Sequence, residues 1–230
     1  MAIISLGHRE KLRNQIIEGA RNYNKYLVKK TFCIICEDGS ETEVHFNAAD
    51  YKHLTGIKSD LNDLDFYKDC IKGTIDVGNI SSEQKYNWST LKNKCNNIAR
   101  IHTILYSDTS KTLLMECLET NTYLYPIAIK DFISNICVAF VSNNHRARSL
   151  RKASSSNDCK EEKRIIAIFA RNQESCLYDQ IIYIASLKEV FEKNKSIVAR
   201  IADTLKIHFD SILGDNNSDE SCDGEDRTLN

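Results

Sequence analysis

Proline and glycine are scarce in this chain, whose 230 residues include 1 Pro and 8 Gly. With 42% hydrophobic residues as well, the composition excludes collagen-like, mucin-like and wholly disordered proteins. A transmembrane helix is not expected, because no apolar run approaches about eighteen residues. The apolar start at 1–6 is too short for a signal peptide and has no basic region before it. We therefore expect a cytoplasmic protein with no membrane partner.

A disulfide framework is not expected either, although the chain has 9 cysteines. Their number is odd, their spacing is irregular and most lie within apolar runs, so we interpret them as reduced thiols in the core. The pair Cys33-x-x-Cys36 could bind zinc or act in redox chemistry. On a strand, however, side chains three residues apart point to opposite faces, and no second C-x-x-C supplies further ligands. Core filling is the favoured interpretation, and we predict no metal site and no cofactor.

The first half of the chain shows the apolar periodicity of helices. The stripe of the first predicted helix, 8–29, consists of Leu12, Ile16, Ala20, Tyr23 and Leu27. The further elements predicted here are a hairpin over 31–46 with its turn at 37–40, a short helix from Asn47 to Gly56, and helices over 61–71 and from 81 or 82 to about 106.

The second half shows strand patterns. The strand candidates are 112–118, 122–127, 136–142 and 163–170, and 181–184 fits either a strand or the start of a helix. Between them, 143–162 is polar, basic and serine-rich with no apolar period, which predicts a loop. Residues 214–230 carry six acidic residues against one basic residue and predict a disordered tail.

Together these elements predict an α+β fold, in which N-terminal helices pack on a small antiparallel sheet. Residues 1–213 are expected to form one domain. Its parts are a helical part over 1–110, a sheet-rich part over 111–190 and a C-terminal helix over 195–213.

No strong enzymatic signature is present, since the chain lacks a glycine-rich phosphate loop, G-x-S-x-G and H-E-x-x-H. The most marked feature is a basic segment from Asn143 to Arg171, with eight bases against three acids in a chain of total charge -1. Arginine donates two parallel hydrogen bonds to phosphate, and serine hydroxyls also donate to phosphate oxygens. The segment is a candidate phosphate-binding surface, and a solvated surface loop is the alternative.

A second candidate lies in residues 44–56, which carry two histidines, a tyrosine and a lysine. An imidazole titrates near neutrality and can exchange protons in either direction. His45 alternates with apolar neighbours, which fits an exposed position or a hydrogen-bonded, half-buried one. His53 lies where the short helix packs, and both a structural and a catalytic role fit that position. Further candidates are His102, Glu116 and the turn at Tyr178–Gln180.

Four ordered pieces of the chain resemble a known group of nucleases. They are Ala20-x-x-Tyr23-x-x-x-Leu27, Val44-x-Phe46, Tyr51-x-His53-Leu54-Thr55-Gly56 and Phe66-Tyr67-x-x-x-Ile71-x-Gly73. In this order they resemble the phage-borne nuclease-like domains grouped with barnase, EndoU, colicin and RelE toxins, specifically the fourth such phage group. The resemblance extends over about residues 10–190.

The resemblance implies a RelE/barnase-like domain that cleaves RNA without a metal, by attack of a ribose 2′-hydroxyl on the adjacent phosphate. Such chemistry needs a base, an acid and cations beside the phosphate. The implied catalytic residues are His53, Tyr51, Arg148 and Arg151, and the implied nucleic-acid-binding residues are Lys52, Arg146, Ser149, Lys152 and Arg171. The implied role is a toxin-like or host-interference factor of a phage or mobile element. Its partners would be RNA, with tRNA as one candidate, and an acidic antitoxin or host protein.

A non-catalytic module is the alternative function. The same basic segment would then hold a nucleic acid or an acidic protein without cleaving it, for instance as an inhibitor of a defence system. Strongly salt-dependent binding that leaves the nucleic acid intact would distinguish this alternative.

Overall fold

The computed structural model describes residues 5–82, 87–106, 111–121, 123–142, 144–207 and 209. The α-helices of this part are α1 (Leu6–Tyr26), α2 (Tyr51–Thr55), α3 (Asp63–Lys72), α4 (Trp88–Ala99), α5 (Thr103–Tyr106) and α6 (Leu187–Lys193). The strands are β1 (Lys30–Cys36), β2 (Glu41–His45), β3 (Ile57–Lys58), β4 (Ser81–Ser82), β5 (Thr112–Glu119), β6 (Leu124–Asp131), β7 (Ile136–Val141), β8 (Arg146–Lys152), β9 (Glu161–Asn172) and β10 (Gln180–Ile184). Within these residues, no helix combines the length and the apolar character that a membrane crossing requires.

Seven strands of the main sheet form a closed ring. β1 pairs with β2, the order continues through β8, β7, β6, β5 and β9, and β9 pairs back onto β1. β10 joins β9 as the eighth strand of the sheet, and the helices lie outside the ring. The prediction of a small antiparallel sheet with N-terminal helices packed on it is therefore wrong, because the sheet is a closed β-barrel.

β1 shows why the sheet closes. Residues 31–36 are all buried, so this strand has no polar face to present to water. It is paired along both edges, since Thr31 is opposite His45 on one side and Arg171 on the other. The ladders of the ring are antiparallel except for β2 with β8, which is parallel.

The segment interpreted as a polar loop contributes a strand of the ring. Residues 146–152 form β8, which pairs with β7 along its length, so the loop prediction for 143–162 is wrong there. Only Ala147 and Leu150 of this strand are buried, whereas the rest of its side chains are half-buried or exposed. Two inward side chains three positions apart do not follow the alternation of a strand, and this spacing concealed the strand.

The N-terminal elements follow their sequence signals. The stripe of α1 is buried, and the predicted hairpin is β1 and β2. The helices that contain Tyr51 and Phe66 both end at a glycine with positive φ, Gly56 at 71° and Gly73 at 76°.

The long helix predicted from 81 or 82 to about 106 is shorter and interrupted. Ser81 and Ser82 form β4, which pairs with β3. The helix α4 begins only after Asn87, whose side chain accepts a hydrogen bond from the amide of Thr90. It ends at Ala99, and α5 forms a separate short helix.

The cysteines of the described part are free thiols, and five of them are buried: Cys33, Cys36, Cys70, Cys95 and Cys137. Cys33 and Cys36 belong to separate core clusters, as expected for side chains on opposite faces of a strand. Near the C-terminus, the predicted helix over 195–213 begins instead with a 3-10 turn at Lys195–Arg200. The predicted acidic tail, 214–230, lies outside the described residues.

Candidate functional site

The ring is most sparsely joined between β2 and β8, where a cavity opens. These strands share a single ladder pair, His45 with Arg146, and the amide of His45 donates to the carbonyl oxygen of His145 at 3.1 Å. The cavity beside this seam has a volume of ≈ 680 Å³. Its lining includes Thr31, Glu43, His45, His145, Arg146 and Arg171.

The backbone places both histidines at this seam. His45 is the last residue of β2 and follows the buried Val44. Before β8 the chain passes through two left-handed residues, Asn144 at φ 62° and His145 at φ 41°. Such conformations are uncommon outside glycine, although Asn and His adopt them more readily than most residues. Backbone of this kind concentrates at functional sites, where the surroundings hold it in place.

Both imidazoles are oriented through Nδ1. His145 Nδ1 lies 3.1 Å from the carbonyl oxygen of Glu43, which can only accept, so the proton of a neutral His145 is held on Nδ1. His45 Nδ1 lies 3.1 Å from Thr31 Oγ1, a hydroxyl that can donate or accept. Within the part of the chain that the structure describes, neither Nε2 atom has a hydrogen-bond partner.

His45 is neutral at pH 7. Burial lowers its pKa below the ordinary value of 6.5. The positive charge of Arg171 and the neighbouring His145 lower the pKa further, while Glu43 opposes them. A neutral imidazole can accept a proton, which is what a general base must do.

Glu43 organises the cations of this cavity. Its carboxylate accepts hydrogen bonds from Tyr178 Oη, from Arg171 at 3.4 Å and from Arg200 at 2.8 Å. Burial alone would raise the pKa of Glu43, but the Tyr178 hydroxyl and the two guanidinium groups outweigh it and lower the pKa. Glu43 is therefore ionised at neutral pH and fixes Arg171 at the cavity wall.

Two further cavities share lining residues with the first or with each other. Arg146 lines both the first cavity and a second one of ≈ 550 Å³. His53 and Tyr125 line both the second cavity and a third of ≈ 500 Å³. We refer to these three neighbouring cavities together as the basic groove, whose cationic residues include Arg171, Arg146, Arg148, Arg151 and Lys152.

A β-bulge in β8 directs the arginines into the basic groove. Ala139 of β7 is opposite Ser149, whereas the next residue, Phe140, is opposite Ala147, so Arg148 is the extra, unpaired residue. Without a bulge, Arg148 and Leu150 would point to the same face. The extra residue lets Leu150 turn inward while Arg146, Arg148 and Arg151 stay partly exposed.

The structure brings most of the sequence-predicted residues together. His53 lies with Arg146 and Arg148 in the second cavity, and with Ser149, Arg151 and Lys152 in the third. The cause is the packing of α2, which carries His53, against β8. Arg171 lines the first cavity, which it shares with Arg146 but not with His53. The roles of these residues stay predictions.

Two predicted residues do not reach the basic groove. Tyr51 is fully buried, and its hydroxyl donates to the carbonyl oxygen of Ile16 at 2.5 Å. The ammonium group of Lys52 donates to the carbonyl oxygen of Leu61 at 2.5 Å and lies 3.6 Å from Asp63. Tyr51 thus anchors α2 to α1, and Lys52 holds the start of α3. We therefore do not assign Tyr51 to the reaction or Lys52 to nucleic-acid binding.

The remaining candidates from the sequence have structural partners. His102 stacks on Tyr26 with ring centroids 4.7 Å apart. Glu116 pairs with Lys163 at 2.7 Å. Tyr178 is fully buried and serves the Glu43 network. Sequence reasoning did not single out Thr31, Glu43 or His145, and the available signal was the Asn144-His145 pair directly before a strand.

No group of three or more His, Cys, Asp or Glu residues that could hold a metal ion occurs among the residues that the structure describes.

Comparison with known proteins defines the class of this chain as a nuclease-type domain. Residues 15–187 match the family model of the phage-Barnase-EndoU-ColicinE5/D-RelE like nuclease 4 family. The chain belongs to this family, which confirms the resemblance drawn from the sequence. No curated protein and no solved structure matches the chain.

Proposed function

We propose that the chain is a metal-independent endoribonuclease that cleaves RNA by attack of a ribose 2′-hydroxyl on the adjacent phosphate. The observation that carries this proposal is the pair of imidazoles at the β2–β8 seam, each held through Nδ1, beside Arg171. The family supports nuclease activity, and the chemistry of the seam supports RNA as the substrate, because only RNA has the 2′-hydroxyl.

The roles follow from the hydrogen bonds. Neutral His45, with its Nδ1 proton donated to Thr31, accepts the 2′-hydroxyl proton at Nε2. The 2′-oxygen forms a bond to phosphorus, and the bond from phosphorus to the 5′-oxygen breaks. His145 in its cationic form gives its Nε2 proton to that leaving oxygen, and Arg171 faces the charge on the phosphate. The products are a 2′,3′-cyclic phosphate and a 5′-hydroxyl.

His53, Arg148, Arg151 and the other cationic residues of the second and third cavities are assigned to RNA binding. A reaction centred on His53 is the competing assignment, because this imidazole shares a cavity with Arg146 and Arg148. A toxin-like role against a host is the biological context that we propose, with an acidic protein as the neutralising partner of the basic groove.

The test compares histidine variants on labelled tRNA in the presence of EDTA, with the product ends determined. We expect His45→Ala and His145→Ala each to lower the cleavage rate by about 10²–10⁴-fold, the usual contribution of a general acid or base. His53→Ala should raise KM more than it lowers kcat. The control is His8→Ala, since His8 stacks on Trp88 and does not line the basic groove.

Other outcomes would contradict the residue assignment, the mechanism or the catalytic function. Full activity of both seam variants would remove the assignment to His45 and His145, and loss of kcat in His53→Ala alone would move the reaction to the second cavity. A requirement for magnesium would overturn the mechanism. Tight binding without any cleavage would favour the non-catalytic module.

A further inference from the structure

The second cavity of the basic groove contains an aromatic wall. The side chain of Tyr123 is 47% exposed, whereas Tyr125 is 8% exposed, and the two ring centroids are 4.7 Å apart with planes tilted by 55°. Both residues line the cavity. Tyr125 thus supports the ring of Tyr123, which a ligand can approach from the cavity.

Cationic and imidazole side chains face the same space as this wall. His53, Arg146 and Arg148 line the cavity together with Ser142. Arg146 is held by the buried Asp50 at 3.4 Å and is still 44% exposed. An aromatic ring beside guanidinium groups is the combination that binds a nucleotide, since the base stacks on the ring and the phosphates pair with the cations.

We infer that the second cavity is a nucleobase subsite in which an unpaired base of single-stranded RNA stacks on Tyr123. This inference rests on the proposed function, because Arg146 lines both this cavity and the one at the seam. A strand whose scissile phosphate lies at the seam therefore continues past Arg146 and places a neighbouring nucleotide in the second cavity.

The shape of the cavity selects an unpaired nucleotide. Its volume of ≈ 550 Å³ falls within the range of about 300–1,000 Å³ that is usual for small-ligand sites. In a duplex, each base has its faces covered by stacked neighbours and its edge occupied by its partner. Only a base that is splayed out of a loop or a single strand can lie against Tyr123.

The test measures binding, so that it does not depend on cleavage. A fluorescent six-nucleotide 2′-O-methyl RNA, which cannot undergo 2′-hydroxyl attack, is titrated by anisotropy with the full chain. We expect Tyr123→Ala to weaken the Kd by about fivefold to 150-fold, the usual value of one stacked base, and Tyr123→Phe to keep the affinity. Phe132→Ala is the matched control, because Phe132 is a half-exposed aromatic residue at the other end of β6.

Two further ligands test whether a single unpaired base occupies the subsite. An abasic nucleotide is placed at successive positions of the strand, and at one position it should weaken binding as much as Tyr123→Ala does. A blunt duplex of the same sequence should bind more weakly than the single strand, and Tyr123→Ala should not change its affinity. Equal binding by wild type and Tyr123→Ala, no binding of the single strand, or a Tyr123-dependent duplex would overturn the subsite. Tyr123-dependent binding without cleavage of unmodified RNA would instead overturn the proposed function and leave the subsite in place.

Discussion

At the scale of single residues, the two histidines of the seam are neighbours with different restraints. His145 faces a carbonyl oxygen, which fixes the position of its proton, whereas His45 faces a hydroxyl and can adopt either tautomer. Burial lowers the pKa of His45, and the positive charges of Arg171 and His145 lower it further. This asymmetry is why we assign the base to His45 and the acid to His145.

Arg171 allows the assignment of His45 to be tested through pH. The acidic limb of kcat/KM reports the base of the free enzyme, so activity falls as the pH drops through the pKa of His45. Arg171 lowers that pKa, and Glu43 raises it. In Arg171→Gln, Glu43 still accepts hydrogen bonds from Tyr178 and Arg200 and stays in place. Because the positive charge of Arg171 is lost, the pKa of His45 should rise and the acidic limb should move to higher pH.

The matched variant for this measurement is Arg171→Lys. It keeps the positive charge, so its acidic limb should stay near that of the wild type even if its rate is lower. A limb that stays in place in Arg171→Gln, or moves to lower pH, would show that His45 is not the base.

The resemblance to the nuclease family, and not a local pattern, assigns His53 and the arginines of the basic segment to one site. These residues do line common cavities, although they lie far apart in the chain. The resemblance also assigns Tyr51 to the reaction, but its side chain points to α1 and is buried. The contact between His145 and Glu43 joins residues 102 positions apart, and no local pattern of the chain indicates it.

At the scale of elements, β8 connects the fold to the basic groove. Its inward residues Ala147 and Leu150 fill the core, and its other residues supply most of the cations of the groove. The bulge at Arg148 makes both functions compatible. It also removes the alternation by which a strand is recognised, so one structural feature explains both the arginine-lined wall and the failure of the loop prediction.

Two single-residue deletions separate the bulge from its arginine. Removing either Arg148 or Ser149 gives a strand in which Ala147 and Leu150 keep their partners, Phe140 and Val138, in regular alternation. Both variants should therefore fold with similar thermal midpoints. Deleting Arg148 should raise KM for tRNA by about tenfold or more, since a hydrogen bond from a charged group contributes about 1.5–3 kcal/mol.

The deletion of Ser149 gives a strand of the same length but retains the guanidinium group of Arg148. Its KM for tRNA should therefore rise less than the KM of the Arg148 deletion. Steady-state kinetics of both variants, with circular dichroism to establish folding, provide the comparison. If KM rises equally in the two deletion variants, the bulge itself, and not the arginine, determines RNA binding.

At the scale of the whole molecule, closure of the ring creates the site. The sequence indicates the strands of the first hairpin and those of the second half other than β8. Closure, however, depends on the pairing of β1 with β9 and on the single pair between β2 and β8. Those contacts join distant parts of the chain and leave no periodic trace. The family resemblance was recognisable because it rests on ordered short pieces, and the match over residues 15–187 confirms it.

The total charge of the chain does not indicate the positive charge of the basic groove, but the salt dependence of RNA binding can measure it. The total charge is -1, yet the basic groove collects Arg171, Arg146, Arg148, Arg151 and Lys152. If all five contact phosphates, the logarithm of the affinity for single-stranded RNA should fall with the logarithm of salt concentration with a slope of about -3.5, or about -0.7 for each contact.

Arg148→Gln should make this slope shallower by about 0.7, because one phosphate contact is lost. Arg164→Gln changes the total charge by the same amount, but Arg164 is paired with Glu37 and Glu189 and does not line the groove, so its slope should equal that of the wild type. Anisotropy titrations of a 2′-O-methyl strand at several salt concentrations measure all three slopes. If the two variants change the slope equally, the RNA responds to the overall charge of the protein, and the groove is not its binding surface.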